Sequence, residues 1–74
     1  MKLTFIKLST GKLSEKNVLI PSVGKTINKQ KDLLYFYDMD DKDATGHYKL
    51  KSCRISKIVS HKTNEYLLKM IKSY

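Results

Sequence analysis

The sequence predicts a mainly β fold, a small, strongly bent five-stranded barrel with a C-terminal helix, forming one domain over residues 1–74. Three observations predict it. Short runs rich in Val, Ile, Leu, Tyr and Phe are separated by turns that carry Gly, Pro and Asp. From about Thr63 the apolar spacing switches to a helical period. Seventy-four residues, 41% of them hydrophobic, allow one thin core and no second domain.

The first strand is expected over Lys2 to Ser9. Leu3 and Phe5 alternate with Lys2 and Thr4, while Ile6 and Leu8 take the opposite parity, which calls for a bulge or for burial on both faces. Ser9 to Lys12 supply a turn with Gly11 free to take positive φ, and Leu13 to Ile20 return as the second strand of a hairpin. Pro21 and Gly24 end that ladder in a bend, and the polar stretch Lys25 to Lys31 is expected to be a loop or one helical turn. The unbroken run Leu33 to Tyr37 has the pattern of a central strand covered on both sides. Asp38 to Gly46 is dense in Asp and fits a long hairpin loop into a strand at His47 to Ser52, where Tyr48 and Leu50 mark an apolar face and Lys49 and Lys51 a basic one. Ile55, Ile58 and Val59 make a short fifth strand or an irregular edge. In the helix, Thr63 is the expected N-cap, Glu65 lies in the first turn, and Leu67, Met70, Ile71 and Tyr74 form a stripe. That stripe caps the open end of the barrel or meets a second copy, with capping preferred.

The opening hairpin with Gly11 at its turn, the segment Asn17-Val18-Leu19-Ile20-Pro21, the run Leu34-Tyr35-Phe36-Tyr37-Asp38 and the late stretch Tyr48 to Ile55 together resemble a WYL-type domain. This is a bacterial Sm-like small barrel, often fused to transcription regulators and also found in defence systems. The likeness covers roughly Lys2 to Ile58, and the Arg54-Ile55 pair is its most distinctive element. It implies an Sm-like barrel that binds nucleic acid or nucleotide-like ligands through basic and aromatic positions. Aligned on Asp38, this chain has Asp32 and Leu33 where the family has Trp and Tyr, and only Leu34 of the three name-giving residues remains.

Fifteen Lys and Arg against seven Asp and Glu give a formal charge of +8, and fourteen of the fifteen are Lys. Lys49, Lys51, Arg54 and Lys57 lie on or beside one hairpin, and Lys2, Lys7, Lys12 and Lys16 on the other. Such ribbons suit phosphate contacts, which are salt-dependent and largely blind to sequence. Tyr37 and Tyr48 are the candidate base-stacking surfaces. The bland reading is a solvated lysine surface that an AT-rich genome produces without selection. The alternative function is a protein-interaction or inhibitor module of a phage or mobile element that meets an acidic partner surface.

Catalytic and metal motifs fail on spacing. Gly24-Lys25-Thr26 lacks the first Gly of a P-loop, where Leu19 stands, and the Asp38 to Asp43 cluster has Lys42 at a calcium-ligand position and no Gly after it. Cys53 has no partner cysteine, and His47 and His61 lack metal-ligand spacing. The expectation is therefore a non-enzymatic binding protein with no cofactor and no metal. Without an apolar stretch long enough for a signal peptide or a span, it is expected to be cytoplasmic and away from the membrane.

Overall fold

In the computed structural model, which describes residues 1–21 and 26–73, the strands are β1 (Lys2–Ile6), β2 (Leu13–Leu19), β3 (Ile27–Asn28), β4 (Leu33–Lys42) and β5 (Tyr48–Arg54). Two single-turn 3-10 helices at Ile55–Lys57 and Ser60–Lys62 lead into helix α1 (Glu65–Ser73). The expected bend at Gly24 and the last residue of the helical stripe, Tyr74, lie outside the described residues.

All five strands join one antiparallel sheet with β4 at its centre. One edge of β4 takes β3 at Leu33–Leu34 and β2 at Tyr37–Asp38, and the other takes β5. β1 pairs with β2 alone, except for a single bridge between Phe5 and Ile58. The sheet is therefore not closed. A mainly β fold with a C-terminal helix holds, but the wall that would join β5 to β1 is reduced to that bridge. Asp32 is the physical reason. It takes φ 56° in the turn before β4, its carbonyl accepts Ile55 N at 3.1 Å, and its carboxylate accepts Ser56 N at 3.0 Å. These bonds wind residues 55–57 into a 3-10 turn and carry the chain away from the β1 edge.

The core gathers Leu3, Phe5, Val18, Ile27, Leu34, Phe36, Cys53, Leu67 and Ile71, with the Phe5 and Phe36 rings tilted 55° at 6.0 Å. β1 is buried on both sides through Thr4, whose N–H donates to Thr63 Oγ1 at 3.1 Å and whose hydroxyl donates to the Lys62 carbonyl at 3.0 Å. It ends at Ile6 instead of Ser9, and Leu8 is exposed. There the backbone turns back through Lys7 N to Lys12 O and Gly11 N to Lys7 O, with Gly11 at φ 67°.

Three further expectations are corrected, and one is resolved between its alternatives. Within the stretch expected to be loop or helical turn, Ile27 and Asn28 form β3, because burying Ile27 against Leu34 outweighs the polar residues around it. Residues 55–59, expected as a strand or irregular edge, are the irregular edge. Asp38 to Lys42 extend β4 through a bulge, and the connection shrinks to a turn closed by Asp43, whose carboxylate accepts Thr45 N at 2.9 Å and His47 N at 3.0 Å, with Gly46 at φ 86°. At the helix, Thr63 is held by Thr4, so Asn64 is the cap: its side chain accepts Leu67 N at 3.2 Å.

Candidate nucleic-acid interface

Alternation along β4 and β5 sorts the site residues onto two faces. Toward the core, the cross-strand pairs are Leu34 with Cys53, Phe36 with Lys51 and Asp38 with Lys49. Away from it they are Leu33 with Arg54, Tyr35 with Ser52 and Tyr37 with Leu50. Leu19 of β2 also pairs with Tyr37, so Leu19, Tyr37 and Leu50 form one row across three strands.

The expected polarity of β5 is reversed. Leu50, expected on the apolar inner face, is 57% exposed, while Lys49 and Lys51 share the side of the buried Cys53. The cause is a charge network. Asp38, expected in a long hairpin loop, is 1% exposed. It accepts Lys51 Nζ at 2.8 Å and lies 3.4 Å from Lys16 Nζ, while Asp41 accepts Lys51 at 2.9 Å and lies 3.7 Å from Lys49. A lysine on the inner face is tolerated because its head is paired and its stem packs beside Phe36.

The hydrogen bond from Lys51 holds the Asp38 carboxyl below its ordinary range, helped by Asp40 N–H and Lys16 and opposed by burial. Asp41 is lowered chiefly by the same ammonium, and Lys51 is raised in turn by Asp38 and then Asp41. Asp43 is lowered by its bond from Thr45 Oγ1 and by the turn N–H groups. Burial, with the Asp32 charge adding to it, pushes the Cys53 thiol up to about 12, so it stays protonated at neutral pH.

The six residues singled out in the sequence thus separate. Tyr37, Tyr48 and Arg54 share the outward face, and Lys49 and Lys51 sit on the other, bound to aspartates. Arg54 Nη1 donates to the Lys31 carbonyl at 2.9 Å, one of the five N–H donors of an otherwise exposed side chain. Lys57 is exposed on the 3-10 turn beyond β5.

Sequence reasoning missed Tyr35, which shares the parity of Tyr37, and Lys42, whose Nζ lies 5.5 Å from the Tyr48 ring centroid. The resulting outward surface holds Tyr35, Tyr37 and Tyr48, all half-buried, beside Leu19 (46% exposed), Leu50 and Met39. Lys42 and Arg54 stand at its two ends. No carboxylate occupies the outward positions Leu33, Tyr35 and Tyr37 of β4 or Tyr48, Leu50, Ser52 and Arg54 of β5, while beyond the bulge the exposed Asp40 shares the parity of Lys42.

A second feature lies at the free edge of β5. A cleft of about 410 Å³ opens between the end of β1 and the end of β5, walled by Lys7, Lys16, Lys51 and Arg54 over Phe5 and Phe36. Among the described residues, no helix is long and apolar enough to cross a membrane, and no cluster of three His, Cys, Asp or Glu side chains is placed to hold a metal ion. Comparison with protein-family models, with curated proteins and with solved structures finds no match to this chain.

Proposed function

We propose that this protein is a non-enzymatic binding module for single-stranded nucleic acid, which it takes on the outward face of β4 and β5. The observation that carries the reading is the partly exposed set Tyr35, Tyr37 and Tyr48 between two cations, Lys42 and Arg54, with no carboxylate among the cross-strand pairs Leu33–Arg54, Tyr35–Ser52 and Tyr37–Leu50. Aromatic rings on a sheet offer π-faces that stack any base, and flanking cations take the phosphates. A duplex keeps its bases stacked internally and gains only the electrostatic part. Arg54, Lys42 and the nearby Lys57 are the phosphate contacts in this reading. Lys49 and Lys51 contribute less, because the charge they carry is already matched by Asp38 and Asp41. The Sm-like likeness belongs to the same proposal: two hairpins and a terminal helix follow in that order, with the sheet left open at β5.

Fluorescence anisotropy with labelled single- and double-stranded oligonucleotides tests it. The single strand should bind more tightly, and its log K should fall by about 2 per tenfold rise in salt if three phosphates are neutralised. Tyr37→Ala and Tyr48→Ala should each weaken binding by about 1–3 kcal/mol. Absence of binding at low salt, or binding indifferent to both tyrosines and to Arg54→Ala, ends the proposal.

A further inference from the structure

We propose that the cleft between the open edges of β5 and β1 takes an extended acidic segment of a partner protein as an added strand. The inference does not rest on the nucleic-acid reading, which concerns the outward face of the same hairpin, although Arg54 borders both surfaces.

Its first support is the backbone. β5 is paired along one edge by β4, and among the described residues nothing bonds to its other edge from Tyr48 to Arg54. About half of the main-chain N–H and C=O groups of that strand therefore point into open space. β1 is covered only at its beginning, where Asn64 N donates to Lys2 O at 2.9 Å, Val59 N to Thr4 O at 2.8 Å, and Phe5 bridges Ile58. Beyond Phe5 its edge is bare as well. The two edges diverge from the Ile58 bridge and leave the 410 Å³ cleft between them.

The second support is the lining. Lys7, Lys16, Lys51 and Arg54 stand around an apolar floor that includes Phe5 and Phe36, and no carboxylate is among the lining residues. Asp38, behind the cleft, offsets part of the charge on Lys16 and Lys51, whereas Lys7 and Arg54 have no ion-pair partner among the described residues.

These features select the occupant. A bare strand edge presents donors and acceptors alternately, and another strand answers both; a phosphodiester chain offers acceptors and leaves the edge carbonyls unmatched. A second copy of this chain would bring its own Lys49, Lys51 and Arg54 against the same residues, a like-charge contact. What fits is an extended peptide with an apolar residue over the Phe5–Phe36 floor and Asp or Glu on either side of it.

The test is selection of a random heptapeptide display library against the full-length chain. Enriched peptides should be acidic with an apolar centre, and the best of them, made synthetically, should slow hydrogen exchange at β5 amides. Its affinity should fall about tenfold or more in Lys7→Glu/Arg54→Glu, two exposed sites where charge reversal leaves the core untouched. An analogue N-methylated at alternate amides on its pairing side should not bind. Tyr37→Ala should leave peptide binding unchanged, which separates this proposal from the preceding one. No enrichment over an unrelated bait, no acidic excess, full binding by the N-methylated analogue or indifference to the charge reversal would each overturn it. So would displacement of the peptide by an oligonucleotide that protects the same β5 amides.

Discussion

On its inward face β4 carries Leu34, Phe36 and Asp38, none more than 1% exposed, while its outward face carries Tyr35, Tyr37 and Met39, all half-buried and none of them part of the core cluster. The two sets alternate along one backbone in a run that looks uniformly apolar. Inward, every side chain is matched: Leu34 and Phe36 meet the core and helix α1 closes it with Leu67 and Ile71, while Asp38 meets Lys51 and Lys16. Outward, among the described residues, the tyrosines meet their cross-strand neighbours and Lys42. The contrast separates residues held by folding from residues whose exposure folding does not explain, and the second group is where binding is sought.

Substitution on the two faces should give opposite outcomes. Phe36→Ala removes the ring that packs against Phe5 and should cost about 3–5 kcal/mol in urea unfolding, enough to unfold much of so small a domain. Tyr37→Ala, one residue away, should cost about 1 kcal/mol or less and act on nucleic-acid affinity instead. Equal destabilisation by the two would erase the distinction between the faces.

Asp38 sharpens the comparison through charge. Asp38→Ala leaves Lys51 without its closest partner, but the Lys51 side chain is 33% exposed and keeps Asp41, so the expected loss is about 1–3 kcal/mol. The native carboxyls of Asp38, Asp41 and Asp43 titrate below their ordinary values, so between the folded and unfolded pKa values the unfolded chain binds more protons. Stability is then fully present above the unfolded value of about 4 and falls as the pH drops through the folded values. Chemical denaturation from pH 6 to pH 2 should show this decline, and it should be shallower in Asp38→Ala. A parallel decline in the variant would assign the acid sensitivity to Asp41 and the turn at Asp43 instead.

The smallest expected effect is at Leu50. Leu50→Lys should change stability by no more than about 0.5 kcal/mol, because the side chain already faces solvent. A loss of several kcal/mol would mean that the outward face is covered.

The central position of the strand was legible from Leu33 to Tyr37, but the expected cover on both sides was not met: Leu34 and Phe36 are buried, whereas Leu33, Tyr35 and Tyr37 are only partly so. The strand's continuation to Lys42 was not legible. Asp38 to Asp41 have turn composition, and the lysines that make them strand residues come from β2 and from β5, whose register no local pattern reveals. Period-two reasoning grouped Tyr48 with Leu50 correctly but cannot say which group faces inward, and the lysine stems took the place given to them. Thr63 and Asn64 both have capping chemistry; only the contact with Thr4, 59 residues away, decides between them. The open edge of β5 depends on Asp32 reaching Ser56 across 24 residues. Of the candidate site, Tyr37, Tyr48 and Arg54 were visible as types beside a basic run, whereas their shared face and the cleft follow from pairing alone.

The most direct measurement is the pattern of amide and side-chain NMR shifts when a short single-stranded oligonucleotide is titrated into the labelled protein. The account predicts changes concentrated at Tyr35, Tyr37, Leu50 and Arg54, with Tyr48 and Lys42 at one end, while Leu34, Phe36 and the α1 residues Leu67 and Ile71 stay still. Changes spread evenly over the lysines of both hairpins, with the tyrosines unmoved, would contradict it.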